Sequence, residues 1–429
     1  MVDLDKIKNM AVIGGGIMGS GIAQVALLTG YEKVTIIDLK DEILLKSKET
    51  IQNRIEALES ETNFKKFLSD SNNSTERREN INFKKKLRDF KSVGIIANGV
   101  NSSTIMSRLE TETDISKGVA DADFIIEAVP EILRIKQSVF NKLGKFSPPH
   151  TILASNTSTM SITKIAQFSG RPEKVIGMHF HTFFPIFGML IEITPGNKSS
   201  KKSLEIGLAI AQKFPCLIGE MFTVQLEKES PGLIANRIAI TGAIYFSWLI
   251  NQAIDNGISR EQLDAAGFSS EGADAIGIDT VYYSAKYFEE NISPDFAPSK
   301  RIIDLFNAGK LGKKVGRGFY EWNENGPIKN LPPLEKKTTD FLRDNSDPEI
   351  FSAIKLNEAC RLLEEGVVKS YELIDKVIMK GTFIEGPFVK GKEKYKEWVK
   401  KLYETAEKTG ISYIKPCEMM ESGRFLSYQ

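Results

Sequence analysis

Histidine and cysteine are scarce in this chain, at three of each among 429 residues. The cysteines (Cys216, Cys360 and Cys417) stand far apart. No pair has the spacing of a metal clasp or a redox couple, so no metal is expected. Single cysteines of this kind fit a reducing compartment, where they serve as packing residues. Charge of either sign is not in excess. The formal net charge of +1 excludes a global field that would draw in nucleic acid or an anionic membrane, though not a local basic patch for a phosphorylated ligand. No apolar run is long enough to span a bilayer. The amino-terminal Met1-Val2-Asp3-Leu4-Asp5-Lys6 mixes charges and lacks an apolar signal core, so a cytoplasmic protein is expected.

What is present is the balance of a globular protein, 41% apolar and 26% charged. A chain this long exceeds one ordinary core, so two or three domains are expected. Met10-Ala-Val-Ile13 reads as a short buried strand, Ile17 to Leu28 as a helix ended by Gly30, and Val34-Thr-Ile-Ile-Asp38 as a second buried strand. That is the size of a right-handed βαβ unit, and apolar strands without alternation fit a parallel sheet covered on both faces. Residues 41–90 are rich in Lys, Glu and Asn, with helical apolar spacing through Ile43, Leu44, Ile51 and Ile55. They form either a solvated helical excursion or an arm whose Lys46, Lys48, Lys65 and Lys66 meet substrate phosphates. Further strands are expected at 93–97, 124–129, 151–155, 175–180, 190–193 and 222–225. Beyond Pro231 the pattern turns helical, which places a boundary near residue 228. There a repeat emerges. A helix over 238–254 ends at Gly257, followed by Ser259, Asp264 and Gly267-Phe-Ser-Ser-Glu-Gly272. A helix over 354–363 ends at Gly366, followed by Ser370, Asp375 and Gly381-Thr-Phe-Ile-Glu-Gly386. Four signals in the same order indicate a duplication.

Gly14-x-Gly16-x-x-Gly19 follows a strand and opens a helix. In that setting Gly14 permits the tight turn, Gly16 the approach of a pyrophosphate, and Gly19 close packing of helix on strand. The free N–H groups of the helix start, around Ile17 and Met18, then face the phosphates. Asp38, at the end of the second strand, can accept both ribose hydroxyls and would repel a 2′-phosphate, which favours NAD over NADP. Downstream lies a polar clamp, Ser155-Asn156-Thr157-Ser158, where Ser158 either caps the helix at 162–168 or meets substrate. His150 follows two prolines in an exposed turn and is set aside. His179 and His181 lie two apart on one strand and so share a side. Glu192, in the apolar run Met189-Leu-Ile-Glu-Ile193, is costly unless paired. It either makes a structural ion pair or fixes the tautomer of a histidine base. Asn236, near the start of the long helix, needs a polar partner there, and a substrate oxygen would be one.

These residues resemble the L-3-hydroxyacyl-CoA dehydrogenase (3-hydroxybutyryl-CoA dehydrogenase) family. The likeness runs through Val12-Ile-Gly-Gly-Gly-Ile-Met-Gly19 and on to Gln24, Ile126-Glu-Ala-Val-Pro-Glu131, Ala154-Ser-Asn-Thr-Ser158, Gly177-Met-His-Phe180, Ser230-Pro-Gly-Leu-Ile-Ala-Asn-Arg237 and Gly312-Lys-Lys-Val-Gly-Arg-Gly-Phe-Tyr320. Asn357-Glu-Ala-Cys-Arg-Leu-Leu-Glu-Glu-Gly366 resembles a second copy of the family's helical domain. The resemblance implies an α/β Rossmann-type dinucleotide-binding domain over 1–227 with a helical arm near 41–90. It further implies two tandem all-α domains of the 6-phosphogluconate-dehydrogenase C-terminal type over 228–325 and 326–429. Implied by the resemblance, too, are His179 as catalytic base, Glu192 as its partner, and Ser158 and Asn236 as contacts of the substrate's oxygens. Gly14, Gly16, Ile17, Met18, Gly19, Asp38, Glu131, Lys136 and Asn156 would hold NAD. The reaction implied is NAD-dependent oxidation of a 3-hydroxyacyl-CoA in fatty-acid β-oxidation or short-chain acyl-CoA metabolism. A dehydrogenase of a non-CoA 3-hydroxy acid and a non-catalytic NAD-binding partner subunit remain as alternatives. Where the family continues His-Phe-Phe-Asn-Pro, this chain has His179-Phe-His-Thr-Phe-Phe-Pro185. That departure leaves His181 as an alternative base. Family members with one helical domain pair through it, so a chain with two copies is expected to be a monomer, with a homodimer as the alternative.

Overall fold

Four consecutive buried residues, Met10 to Ile13, form the heart of strand β1 (Asn9–Ile13). A strand buried on both faces needs parallel neighbours supplied by crossover helices, and that is its setting in the computed structural model, which describes residues 4–60, 62–63, 101–182, 184–217, 219–324 and 326–428. Helix α1 (Ile17–Thr29) leads to β2 (Lys33–Ile37), parallel to β1. Gly30 ends α1 in the left-handed region at φ 100°. Helix α2 (Asp41–Glu56) follows and buries Leu44, Ser47, Ile51 and Ile55 on one face. The arm beyond residue 63, with the strand expected at 93–97 and with Lys65 and Lys66, lies outside the described residues. Strand β3 (Leu109–Glu112) pairs with β2 and is an element the sequence pattern did not announce.

Strands β4 (Phe124–Glu127), β5 (Ile152–Ser155), β6 (Val175–Phe180), β7 (Leu190–Pro195) and β8 (Phe222–Gln225) complete the sheet. Helices α3 (Leu133–Phe146), α4 (Ile162–Ala166) and α5 (Lys201–Lys213) lie between them. The order is β3-β2-β1-β4-β5-β6-β7-β8, with every pair parallel except β6–β7. This is a Rossmann-type sheet whose order reverses between β1 and β4, where such sheets open a crevice beyond the strand ends. The antiparallel β6–β7 pair needs no crossover helix, so a short connection suffices and sets His179 directly opposite Glu192. The core runs through Val12, Ile36, Phe124, Ile126, Ile176, Met178 and Ile191, covered by Ile22, Val25 and Ala26 of α1.

The chain divides into two units: Met1–Glu229 with Lys380–Thr382, and Ser230–Met379 with Phe383–Gln429. In the second, the helix expected at 238–254 runs from Ala235 to Asp255 (α6) and the one expected at 354–363 from Pro348 to Glu364 (α7). They pack on each other. Both end in a left-handed glycine, Gly257 at φ 74° and Gly366 at φ 70°. Past each glycine the next amide reaches back to the helix, Ile258 N to Ala253 O at 3.0 Å and Val367 N to Leu362 O at 2.9 Å. Ser259 and Ser370 then cap the helices that follow. The glycine and serine signals thus take the same local form, whereas Asp264 accepts the Tyr320 hydroxyl and Asp375 the Phe388 N–H, and Gly267 is left-handed while Gly381 lies within a helix. Buried Arg237 of α6 joins the two helices by donating to Glu358 of α7 at 2.5 Å and to Glu365 at 2.7 Å, while Tyr413 donates to Glu358 at 2.9 Å. Burial opposes the Arg237 charge, but Glu358, Tyr413 and Glu365 together outweigh it and the guanidinium is held protonated. Among the described residues, no helix is long and apolar enough to cross a membrane.

Candidate functional site

The glycine turn fits a dinucleotide on its own geometry. Gly14 adopts φ 105°, and a Cβ there would lie 2.7 Å from the carbonyl oxygen of Ala128, just past β4. A Cβ on Gly19 would lie 1.7 Å from the carbonyl oxygen of Gly14, so only glycine lets α1 start this close to the strand. Gly16 has open space where its Cβ would be. It is the N-cap of α1 and makes no side-chain cap bond, which leaves the first turn at Ile17 and Met18 facing outward. The site thus offers unscreened N–H groups at the crevice to a pyrophosphate. Asp38, half-buried at the end of β2, accepts the Gly15 N–H and the Leu39 N–H, each at 2.7 Å. Those bonds lock its carboxylate beside the turn, where ribose hydroxyls would add to it.

At the end of β4 a second polar cluster forms. Glu127 is fully buried and accepts from Lys136 at 2.7 Å, from Ser155 Oγ at 2.6 Å and from the Val129 N–H at 2.8 Å. Lys136, itself 1% exposed, also lies 3.2 Å from Glu131. Burial works against the lysine's charge, but the two carboxylates outweigh it and raise its pKa. Burial also opposes ionisation of Glu131, yet Lys136 and the donors from Thr157 and Ser158 keep its carboxyl below the usual range. One Glu131 oxygen accepts the Thr157 and Thr159 hydroxyls together with the backbone N–H groups of Ser158 at 2.9 Å and Thr159 at 3.1 Å. Glu131 and Lys136 therefore fix the turn that carries Ser158. The cap of α4 is Ser161, which accepts the Lys164 N–H at 3.1 Å, and not Ser158. Ser158 is left with a hydroxyl that makes no hydrogen bond among the described residues. Glu127 was missed as a site residue. Its signal was akin to that of Glu192, a charge set in an otherwise apolar strand.

One strand further on, His179 Nδ1 and Glu192 Oε2 are 2.8 Å apart, the histidine 4% exposed and the glutamate fully buried. The pair joins the neighbouring turn through Asn156, whose Oδ1 accepts the Phe180 N–H at 3.0 Å. His181 lies just past β6, its ring edge-on to His179 with centroids 5.7 Å apart. Burial, and then the proximity of His179, lower its pKa to about 4. His150 sits apart, exposed and bonded to Asp123 at 2.9 Å.

Asn236 belongs to the second unit, as the second residue of α6. The turn before it holds Gly232 at φ 77° and Leu233 at φ 55°. A non-glycine residue in that region costs about 1–3 kcal/mol and persists only where its surroundings enforce it. Here the Leu233 N–H reaches Ser230 O at 2.9 Å and the Arg237 N–H reaches Gly232 O at 2.8 Å. The Asn236 amide makes no hydrogen bond among the described residues.

Comparison with known proteins gives the same direction. The family model described as 3-hydroxyacyl-CoA dehydrogenase, NAD binding domain, matches residues 9–101 and 67–215. The model for the C-terminal domain of 3-hydroxyacyl-CoA dehydrogenase matches residues 232–322. The mitochondrial hydroxyacyl-coenzyme A dehydrogenase of Rattus norvegicus is 31% identical over 329 residues, 74% of this chain and 91% of the relative. A probable 3-hydroxybutyryl-CoA dehydrogenase of Deinococcus radiodurans is 31% identical over 326 residues, 72% of this chain and 99% of the relative. The crystal structure of 3-hydroxybutyryl-CoA dehydrogenase from Escherichia coli K12 shares the fold with a TM-score of 0.68, at 22% identity, over 98% of this chain and 99% of that one. With a glycine turn shaped for NAD, and with both family models and full-length relatives in agreement, the chain belongs to the 3-hydroxyacyl-CoA dehydrogenase family, NAD-dependent enzymes.

Proposed function

We propose that the chain oxidises the 3-hydroxyl of an (S)-3-hydroxyacyl-CoA with His179 as the base, and that its acyl group is short. The observation that carries the base assignment is the buried 2.8 Å contact between His179 Nδ1 and Glu192. A carboxylate only accepts, so the shared proton sits on Nδ1 and the lone pair is left on Nε2. Nε2 takes the hydroxyl proton, and Glu192 offsets the positive charge that the ring gains. NAD, when bound, accepts the hydride that leaves C3. Ser158 donates its hydroxyl to the reacting oxygen, and Asn236 donates its amide to the thioester carbonyl. Glu131 and Lys136 hold the 157–159 turn, while Asp38 receives the ribose hydroxyls and disfavours a 2′-phosphate. The short acyl group rests on the hydroxybutyryl-CoA relative.

The domain plan follows the same reading: an NAD-binding domain over 1–227, a helical domain over 228–325 and a divergent second helical copy over 326–429. The α6–α7 packing and the buried Arg237–Glu358 bond support a helical face covered within one chain, hence a monomer. Three buried free cysteines fit a cytoplasmic location. The test is NADH formation across hydroxyacyl-CoA chain lengths in both stereoisomers. Turnover of the (S)-isomer that is greatest for short chains is expected. Turnover of free 3-hydroxy acids without CoA would overturn the substrate class, and a stable dimer in light scattering would overturn the monomer.

A further inference from the structure

The reaction just described has no use for His181, yet this residue stands beside the base. Successive side chains alternate across a strand, so positions two apart project together. The imidazoles of His179 and His181 meet edge to face at 5.7 Å, and Glu192 stands opposite His179 on β7. One nitrogen from each ring and one Glu192 oxygen all lie within 4.8 Å of one another. A tetrahedral zinc ion holds its nitrogen and oxygen ligands at about 2.0–2.2 Å, so its donors stand roughly 3.3–3.5 Å apart. Side-chain rotations of about one ångström would therefore close this set around an ion. Two imidazoles with one carboxylate is a donor set that zinc takes in catalytic sites, with a fourth position left to water. Imidazole donors favour zinc and copper, whereas magnesium and calcium need all-oxygen sites.

We propose that His179, His181 and Glu192 form a site for a borderline divalent cation, zinc foremost, whose occupancy shuts off the dehydrogenase. Either nitrogen of His179 suffices for inhibition. Coordination through Nε2 occupies the lone pair that must take the substrate proton. Coordination through Nδ1 displaces the Glu192 contact and moves the ring proton to Nε2, which then accepts nothing. No redox change is involved. Bound through Nδ1, the ion takes the place of the hydrogen bond between His179 and Glu192, and a chelator reverses the change. The His181 imidazole is what separates this site from an ordinary histidine–carboxylate pair, because it brings the ligand count to three.

The inhibitory half of this inference rests on His179 being the base, and the binding half does not. The experiment uses tag-free, chelator-treated full-length protein, wild type and His181→Phe. Cobalt(II) is titrated as the probe, and its visible d–d absorption reports a four-coordinate site. The expected result is one-to-one binding with intense bands in the wild type, lost in the variant. Zinc should inhibit NADH formation by the wild type, chelator should restore it, and magnesium should do nothing. In His181→Phe the zinc concentration for half-inhibition of that variant's own turnover should rise about tenfold or more. Wild-type protein that gives no cobalt bands would overturn the site, and that titration requires no variant to fold. Equal zinc sensitivity in the two proteins would overturn it as well. His181-dependent cobalt binding in a protein that oxidises no hydroxyacyl-CoA would keep the metal site and refute the reaction assignment.

Discussion

Glu192→Gln removes one charge from a pair in which His179 is 4% exposed and Glu192 is fully buried, while side-chain shape is almost unchanged. The glutamine can turn either end toward Nδ1. If its oxygen accepts, the tautomer survives but the imidazolium formed in the reaction loses its counter-charge. If its NH2 donates, the ring proton moves to Nε2 and the base is blocked. A unit pair at about 4 Å and an effective dielectric of about 20 interacts by about 4 kcal/mol. Loss of most of that, about 3–4 kcal/mol, slows the chemical step by roughly 10²- to 10³-fold. The assay is NADH formation from (S)-3-hydroxybutyryl-CoA, with the NAD dissociation constant measured in parallel. The expected outcome is a fall of that size in kcat, unchanged NAD affinity, and a primary deuterium isotope effect at C3 at least as large as that of the wild type. A variant within about threefold of wild-type kcat would refute the reasoning, because the buried carboxylate would then be a structural partner and not a catalytic one.

Other outcomes follow from the same geometry. Asp38→Ala should weaken NADH binding by about 10- to 100-fold, the value of charge-assisted bonds worth about 1.5–3 kcal/mol, and narrow the preference for NADH over NADPH, as read by fluorescence titration. Lys136→Met leaves Glu127 and Glu131 buried without their cation, and urea unfolding should show a loss of about 3–5 kcal/mol. Asp375 gives a pH dependence. Burial raises its carboxyl from 3.8 to about 6, so its contribution to stability is full below the unfolded value and is lost as pH rises through the folded one. Asp375→Asn keeps an oxygen for the Phe388 N–H. It should be more stable than the parent by about 1 kcal/mol near neutral pH, after allowance for solvent screening, with the gap closing toward pH 4 in thermal melts.

Much of the parallel sheet was readable because β1, β2, β4, β5 and β6 are mainly apolar and buried. The exception, β3, has the sequence Leu-Glu-Thr-Glu and buries only Leu109 among its four residues, as befits an edge strand. Nothing in its composition separates it from a loop. The His179–Glu192 pair was readable from one cost, a charge set in an apolar strand, but its register depended on β6 and β7 being antiparallel, which local pattern does not state. The role of Glu131 was obscured by a run of hydroxyls. Thr157, Ser158, Thr159 and Ser161 are near-equivalent caps on paper, and only the fold shows that Ser161 caps α4 while Glu131 gathers the others. The bend at Leu233 was invisible, since a left-handed leucine is imposed by packing and not by its own preference. Two of the four signals expected to repeat were legible because they are local caps: a glycine at a helix end, then a serine at the next start.

The central claim is that His179 takes the proton when hydride leaves the substrate. Single-turnover NADH formation by His179→Ala, saturated with NAD and (S)-3-hydroxybutyryl-CoA, tests it most directly. The account predicts a rate at least about 100-fold below wild type, with NAD affinity unchanged. A near-normal rate would contradict it.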